Sequence, residues 1–153
     1  PSRYENSLFL DTQNFKMIKR SFKNLPMNIE KHPVILIAED NESNFFLLQE
    51  ILKKQYRIIH AKNGVEVVQM YRNEHPDAIL MDIRMPEMDG LEATRAIRES
   101  DQDIPIIAVS ADAYEDDKQA AYQCGCNAYI MKPINFRELK ETLLLLLTPH
   151  PHF

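Results

Sequence analysis

Five polar residues follow short apolar runs of the sequence, at points where strands of a sheet would end. Two acids follow the first run, an aspartate follows the third, a serine ends the fourth, and a lysine directly follows the fifth. They are Glu39, Asp40, Asp82, Ser110 and Lys132. Each alone could be a helix N-cap, a loop start or a solvated charge. Together they would lie at one edge of a parallel sheet, where such sheets place their sites.

Three of these residues carry carboxylates, which would repel one another at close range and perturb each other's pKa unless a cation neutralised them. Oxygen ligands favour a hard ion, and Mg²⁺ suits an open site with one or two carboxylates, retained water and a phosphate oxygen. Lys132 would attract a phosphoryl oxygen, and Ser110 would supply a hydroxyl donor. An aspartate would be the nucleophile, so the expected product is an aspartyl phosphate.

The sheet that would position these residues is predicted by the pattern from residue 32 onward. Five short apolar runs alternate with longer segments of helical period, as is typical of a parallel α/β sheet. The candidate strands are Val34–Ala38, Arg57–His60, Ala78–Met81, Ile106–Val109 and Ala128–Met131. Four of them are apolar at nearly every residue, as expected of strands that are covered on both faces.

The segments between the strands predict helices. In the first, an apolar stripe is formed by Phe45, Leu48 and Leu52. The later candidates are Val65–Asn73, Gly90–Glu99, Tyr114–Gln123 and Phe136–Leu147. Gly125 follows the fourth helix and is typical of a C-cap with positive φ. Because crossovers between parallel strands are nearly always right-handed, we expect a three-layer doubly wound fold.

Composition narrows the class of protein. The chain has 153 residues, 44% of them hydrophobic and 27% charged, which favours one globular domain with a short extension. The longest apolar run, Leu143–Leu147, is far shorter than a membrane-spanning helix. A net charge of -5 without a long basic block argues against nucleic acid as a partner. A protein or a small phosphate is the expected partner.

The cysteines and histidines predict no metal site. Cys124 and Cys126 are separated only by Gly125, so a disulfide between them would be strained. We expect unpaired thiols in a reducing cytoplasm. The five histidines are His32, His60, His75, His150 and His152. Their spacing matches no set of ligands, and we expect solvated side chains.

Residues 1–31 differ in composition from the rest of the chain. Phe15, Ile18, Phe22 and Leu25 have helical spacing. This segment is predicted to be a linker or N-terminal extension, which could be a helix from an upstream domain, a segment docked on the following domain, or disordered. The domain itself is predicted to span 32–148, followed by a tail at 149–153.

Four motifs, taken in order, resemble those of response regulator receiver domains between about residues 33 and 147. They are IAEDN at residues 37–41, LMDIRMPEMDG at 80–90, AVSA at 108–111 and YIMKP at 129–133. The resemblance implies a flavodoxin-like fold whose five parallel strands have the order 2-1-3-4-5. It also implies a place in a two-component phosphorelay, with a phosphoryl group received from the phosphohistidine of a histidine kinase or a histidine phosphotransfer domain.

The resemblance also implies roles for the residues of the site. Asp82 would be the phosphoacceptor and Lys132 the phosphate-binding lysine. Mg²⁺, or Mn²⁺ in its place, would be bound by Asp40, Asp82 and the backbone carbonyl of Arg84. Glu39, which stands where an aspartate is commoner in the family, would act on the metal mostly through water.

Further roles concern the output of the domain. Ser110 and Tyr129 would form the switch: the serine hydroxyl would move towards the phosphoryl group, and the tyrosine ring would rotate inward and change the output face. The Lys132–Pro133 bond is expected to be cis. Arg84 and Asp112 occupy positions that in the family tune the lifetime of the phosphoryl group.

The EDNESN segment and the SADAY segment resemble receivers of hybrid sensor histidine kinases, so we predict an origin in such a protein, as the cytoplasmic part of a membrane sensor. The alternatives are a stand-alone response regulator and a receiver-like binding scaffold that is not phosphorylated. By itself the domain is not expected to be an enzyme beyond Mg²⁺-dependent self-phosphorylation and autodephosphorylation. It is not expected to contact nucleic acid or a membrane, and its downstream protein partner is left open.

Two other classes of protein fit the sequence poorly. A phosphatase of the haloacid dehalogenase type needs a second aspartate two residues after its nucleophile, and Arg84 stands there. A flavodoxin needs a phosphate-binding loop after the first strand, where the acidic residues from Glu39 to Glu42 would repel a flavin phosphate.

Overall fold

The structure is a computed structural model that describes residues 32–112 and 114–149. Within them lie five strands and five helices in alternation. The strands are β1 (Val34–Ala38), β2 (Arg57–Ala61), β3 (Ala78–Asp82), β4 (Ile106–Ser110) and β5 (Ala128–Met131). The helices are α1 (Glu42–Leu52), α2 (Gly64–Glu74), α3 (Gly90–Arg98), α4 (Glu115–Cys124) and α5 (Phe136–Leu147). None of these helices is long and apolar enough to cross a membrane.

The strands form one parallel sheet in the order β2-β1-β3-β4-β5, which confirms the predicted flavodoxin-like fold. Register decides which residues meet at the carboxyl edge. Ala38 pairs with Met81, Asp82 with Val109, and Ser110 with Met131. The residues that follow β1 and β5, and those that end β3 and β4, are therefore brought to the same edge.

Helices cover both faces of the sheet, so its strands are buried almost throughout. The face towards α1 and α5 buries Ile35, Ile37, Leu80, Val109, Ile130, Leu48, Leu52, Leu139 and Leu143. The face towards α2, α3 and α4 buries Leu36, Ile79, Met81, Ile106, Ala108, Val67, Ala93, Ile97 and Ala121. Each fully buried leucine or isoleucine contributes about 2 kcal/mol by leaving water. The two cores make the sheet a rigid support for its edge.

Side-chain caps start four of the helices. Asn41, Asn63, Asp89 and Asn135 each accept a hydrogen bond from the backbone N–H three residues later. Since Asn41 caps α1, Asp40 is not its N-cap. Tyr114 precedes α4 without a side-chain cap, so Ser110 has no capping role there either. The capping interpretations considered for Asp40 and Ser110 are wrong.

Other predictions are met or corrected at single residues. Gly125 ends α4 with a φ of 111°, as predicted, and a Cβ there would lie 2.8 Å from the Cγ of Arg98. Cys124 and Cys126 are buried and unpaired. His60 departs from the prediction of a solvated side chain, because its ring is partly buried and makes a hydrogen bond.

The remaining differences concern the ends of the strands. β2, β3 and β4 each continue one residue further than predicted, so Asp82 and Ser110 are the last residues of their strands rather than the first of the loops. Because ladder bonds hold both residues, their side chains are positioned by the sheet. The predictions for residues 1–31 and for most of the tail lie outside the described residues.

Candidate functional site

Three carboxylates converge at the carboxyl edge of the sheet. Glu39 and Asp40 follow β1, and Asp82 ends the neighbouring strand β3. One oxygen of each lies within 4.8 Å of an oxygen of the others. Glu39 is 3% exposed and Asp82 is 5% exposed, whereas Asp40 faces solvent. The sheet therefore holds two acids in place and leaves the third open.

Lys132 supplies positive charge to this cluster. It follows β5, and its backbone N–H donates to the carbonyl oxygen of Ser110 at 2.8 Å. Its Nζ lies 2.9 Å from Asp82 Oδ2 and 3.3 Å from Glu39 Oε2. The Lys132–Pro133 peptide bond is cis, as expected. Lys132 thus reaches two of the three acids from the end of β5, the outer strand of the sheet.

The electrostatics of the cluster are unbalanced, since three carboxylates face one ammonium group. Burial raises the pKa of Asp82 to about 6; Glu39 adds to the rise, and the hydrogen bond from Lys132 opposes it. Burial works against the charge of Lys132, but Asp82 and Glu39 outweigh it and raise the pKa of this lysine. A cation beside the three acids would remove the excess negative charge. The donor set, all oxygen, fits a hard divalent ion.

The two acids of the β1–α1 loop differ in how they are held. Glu39 Oε1 accepts from the backbone N–H of Asn41 at 3.2 Å and from Asn44 Nδ2 at 3.4 Å, and Oε2 accepts from Lys132. Asp40 makes no side-chain hydrogen bond to any described residue. Both oxygens of Asp40 are therefore available to a ligand, whereas those of Glu39 are largely occupied.

The loop after β3 folds closely around Asp82. The N–H of Arg84 donates to Asp82 Oδ1 at 3.1 Å, and the N–H of Gly90 donates to the carbonyl oxygen of Ile83 at 2.8 Å. A Cβ on Gly90 would overlap the carbonyl oxygen of Asp82, so a side chain would displace the start of α3. No described residue donates a hydrogen bond to the carbonyl oxygen of Arg84, which leaves this predicted metal ligand available.

Ser110 and Tyr129 meet at one residue, Asp112. Its N–H donates to Ser110 Oγ at 3.1 Å, and its carbonyl oxygen accepts from the Tyr129 hydroxyl at 2.6 Å. Its carboxylate accepts from Nε of Arg84 at 2.8 Å and also from Nη2. The Tyr129 ring is only 9% exposed. The expected inward rotation of this ring does not apply here, because the ring is already inside.

A cleft of about 630 Å³ opens beside the acidic cluster, between the loops that follow β3 and β4. Asp40, Arg84, Ser110 and Asp112 are among its lining residues. This solvent-accessible cleft is therefore lined by a predicted metal ligand, a predicted switch residue and the two residues predicted to tune the lifetime of the phosphoryl group.

Three contacts of the site are not evident in the pattern of strand ends. Asn44 and Asp112 lie beyond the strands, so their bonds depend on how the loops fold. His60 lies on β2 and its ring reaches the carbonyl of Glu39. A signal for His60 was present, since β2 ends at the same edge as β1, but the residue type suggested only a solvated ring.

Comparison with known proteins agrees with this geometry. The family model for the response regulator receiver domain matches residues 35–144. The polar-differentiation response regulator DivK of Brucella anthropi is 41% identical over 112 residues, which cover 71% of this chain and 91% of DivK. The DivK protein of Brucella ovis is 40% identical over the same length.

Solved structures show the same fold. The receiver domain of a sensor histidine kinase from Pseudomonas aeruginosa, with magnesium coordinated in its active-site cleft, is 35% identical with a TM-score of 0.71, covering 76% of this chain and 98% of that one. The signal receiver domain of a histidine kinase from Syntrophus aciditrophicus is 31% identical with a TM-score of 0.70, covering 75% and 89%. The chain belongs to the response regulator receiver domain family of two-component signalling.

Proposed function

We propose that this domain accepts a phosphoryl group onto Asp82 from the phosphohistidine of a histidine kinase or a histidine phosphotransfer domain. The observation that carries the proposal is the contact of Asp82 with Lys132 inside a cluster of three carboxylates. Two buried carboxylates beside a third cost stability, so a use for the cluster is expected. Asp82 is the central member of the cluster, since β3 lies between β1 and β4.

The step is an exchange of one bond for another. A carboxylate oxygen of Asp82 attacks phosphorus, a P–O bond forms, and the P–N bond to the donor imidazole breaks. The imidazole nitrogen keeps the electron pair and takes a proton from water. Lys132 stabilises negative charge on the phosphoryl oxygens through its ammonium group, and the Ser110 hydroxyl can donate to one of them.

Mg²⁺ or Mn²⁺ fits the acidic cluster as a cofactor. Asp40, Asp82 and the carbonyl of Arg84 would hold it, because Asp40 and this carbonyl accept no hydrogen bond from a described residue and each Asp82 oxygen accepts only one. Glu39 would act through water, since its two oxygens already accept three hydrogen bonds. When bound, the ion would supply charge neutralisation to the transferring phosphoryl group. Metal-dependent self-phosphorylation and autodephosphorylation are the reactions we assign to the domain, which otherwise is not an enzyme.

Ser110 and Tyr129 form the proposed switch. The Ser110 hydroxyl accepts from the N–H of Asp112, so its own proton is free to point at a phosphoryl oxygen. Movement of Ser110 would pull on Asp112, whose carbonyl holds the Tyr129 hydroxyl. Phosphorylation is thereby linked to the face formed by α4, β5 and α5. One hydrogen bond to a charged group is worth about 1.5–3 kcal/mol, enough to shift a population between two states.

We favour a hybrid histidine kinase as the parent protein, which would make this domain the cytoplasmic part of a membrane sensor. Two of the similar solved structures are receivers of histidine kinases. A stand-alone regulator is the second candidate, because the match spans 91% of DivK. The coding sequence upstream of Pro1 distinguishes the two, since a kinase catalytic domain in the same reading frame is expected only for the hybrid.

Mass spectrometry tests the phosphoacceptor. Acetyl phosphate with Mg²⁺ is expected to add one phosphoryl group to the wild-type domain and none to Asp82→Asn. Asp89→Asn is the matched control, since Asp89 lies in the same loop region as an N-cap and should leave the modification intact. Phosphorylation of Asp82→Asn at the wild-type level would overturn the assignment. Absence of phosphorylation in the wild type, with Mg²⁺ bound, would favour the binding scaffold.

A further inference from the structure

The ring of His60 lies against the backbone of the first metal-site loop. His60 is the penultimate residue of β2, and its Nε2 lies 2.7 Å from the carbonyl oxygen of Glu39. A carbonyl oxygen can only accept, so Nε2 carries the hydrogen and donates it. The ring also stacks on Phe45 of α1, with centroids 3.6 Å apart and planes 3° apart. Two separate contacts thus fix this ring.

β2 holds Glu39 through both of its backbone polar groups. The N–H of Glu39 donates to the carbonyl oxygen of Ala61 at 3.0 Å, and its own carbonyl accepts from His60. Glu39 is almost fully buried, so its carbonyl oxygen needs a partner within the protein. The His60 ring supplies that partner at the point where β2 ends.

We propose that His60 is a positioning residue of the metal site, acting on Asp40 through the peptide that joins it to Glu39. A peptide unit is planar, so fixing the Glu39 carbonyl oxygen also fixes the direction from which Asp40 leaves the loop. Asp40 has no side-chain hydrogen bond to a described residue. The placement of its carboxylate therefore depends on its backbone, which His60 orients.

Phe45 supports the same arrangement from the helix side. Its ring limits the rotation of the His60 ring, and the preceding residue, Asn44, donates to the Glu39 carboxylate. The first turns of α1 and the end of β2 therefore both act on Glu39. The inference rests on the proposed function in one respect, since it assumes that Asp40 is used to bind a divalent metal ion.

Two substitutions separate the hydrogen bond from the stacked ring. His60→Gln keeps an N–H donor at about the position of Nε2 but removes the ring. His60→Phe keeps an aromatic ring for stacking on Phe45 but leaves the Glu39 carbonyl without its donor. His32→Phe is the control, because His32 is exposed and has no contact with the site.

Mg²⁺ affinity measured by titration calorimetry at constant ionic strength is the first readout. His60→Phe is expected to weaken binding about tenfold, as is typical when a partner that orients a metal ligand is lost. His60→Gln and His32→Phe should stay within about twofold of the wild type, because the donor is kept in one and the site untouched in the other. Equal affinity of His60→Phe and wild type, or equal loss in His60→Phe and His60→Gln, would overturn the positioning role.

The second readout needs no metal. In the metal-free protein, the backbone amide resonance of Asp40 should move in His60→Phe and much less in His60→Gln. If the wild type binds no Mg²⁺, the proposed metal function fails while the amide resonance still tests the positioning. An Asp40 resonance that moves equally in both variants would show that the ring only packs.

Discussion

The two edges of the sheet both bury charged groups, but they satisfy them in opposite ways. At the amino edge the half-buried guanidinium of Arg98 donates to the carbonyl oxygens of Gly125, Asp101 and Ile104 at 2.9, 3.0 and 2.7 Å, and to Asn127 Oδ1 at 2.9 Å. At the carboxyl edge three carboxylates converge, and one lysine pairs with two of them. Every guanidinium nitrogen of Arg98 is matched by an acceptor at the amino edge, whereas the carboxyl edge carries more negative than positive charge.

The pKa values of two aspartates express this difference. Burial raises the pKa of Asp82 at the carboxyl edge to about 6. At the amino edge burial also works to raise the pKa of Asp101, but hydrogen bonds from Tyr71 and from the N–H groups of Asp103 and Ile104 outweigh it and lower this pKa. An ionised aspartate stabilises the fold at one edge and destabilises it at the other.

Removal of the Arg98 side chain is the largest expected effect on stability. Arg98→Ala should lower the free energy of unfolding by about 3 kcal/mol, because four hydrogen bonds are lost and partly buried acceptors remain unpaired. Urea denaturation measures the change. Arg98→Lys should recover only part of it, since an ammonium group cannot reproduce the planar donor set.

The same variant tests whether the edges are independent. Where Arg98→Ala is still folded, acetyl phosphate should modify Asp82 as in the wild type, because Arg98 lies at the other end of the strands. A loss of stability below about 1 kcal/mol would mean that the amino edge is not the stabilising one.

Replacement of one aspartate by asparagine at each edge should change stability in opposite directions. Asp82→Asn should stabilise the metal-free protein at neutral pH by about 1–2 kcal/mol, since the full value of such a pKa shift, about 3 kcal/mol, is reduced by solvent screening. Asp101→Asn should destabilise it by about 1 kcal/mol, because charge-assisted hydrogen bonds are weakened. Both changes are measured by urea denaturation in the presence of a chelator. The same sign for both variants would contradict the difference between the edges.

Much of the carboxyl edge is predictable from sequence. Acids, a serine and a lysine at strand ends predict one cluster, because parallel strands end at the same edge, and the structure brings Glu39, Asp40, Asp82 and Lys132 together. The bonds within the cluster were not predictable. They depend on loop backbone, as with the N–H of Asp112 that reaches Ser110.

The amino edge was hardly predictable at all. Arg98 reads as a surface residue at a helix end, and its acceptors are mostly backbone carbonyls, which leave no mark in a sequence. His60 illustrates the same limit at the other edge, because its partner is the carbonyl of Glu39. Contacts such as those of Arg98 and His60, in which a side chain donates to a backbone carbonyl of another loop, cannot be anticipated from residue types.

The pH dependence of stability gives a smaller effect. The folded-state pKa of Asp82, about 6, lies above its ordinary value of 3.8, so the folded protein binds this proton more tightly than the unfolded chain. Its stabilising contribution is complete below about 3.8 and is lost as the pH rises through about 6. We expect the metal-free wild type to lose about 1 kcal/mol between pH 5 and about pH 7.5 relative to Asp82→Asn.

Chemical denaturation across this range, in wild type and Asp82→Asn, measures the contribution of the Asp82 carboxyl group together with its coupling to Glu39 and Lys132, because groups remote from Asp82 are the same in both proteins. Asp101 does not interfere, since its lowered pKa affects stability only in acid below its ordinary value of 3.8. Addition of Mg²⁺ should reduce the slope of the wild type. Parallel curves of stability against pH for the two proteins without metal would show that the pKa of Asp82 is not raised in the folded state.

The ion pair of Arg84 and Asp112 is expected to give the smallest effect on stability. This pair lies at the carboxyl edge. The Arg84 guanidinium has an acceptor in Asp112, as Arg98 has acceptors at the amino edge, but the Arg84 side chain is 73% exposed. Exposed pairs contribute little, so Arg84→Ala should leave the urea midpoint unchanged. Its effect should instead appear at Tyr129, because Asp112 bonds to Arg84 through its carboxylate and to the Tyr129 hydroxyl through its carbonyl.

NMR should show displaced Tyr129 ring resonances in Arg84→Ala, whereas Arg137→Ala, which removes an exposed pair on α5, should leave them in place. If Tyr129 is unaffected by Arg84→Ala, the pair does not hold the β4–α4 loop in solution. If the midpoint falls as it does for Arg98→Ala, pairing rather than burial would determine stability, and the two edges would differ less than their structures indicate.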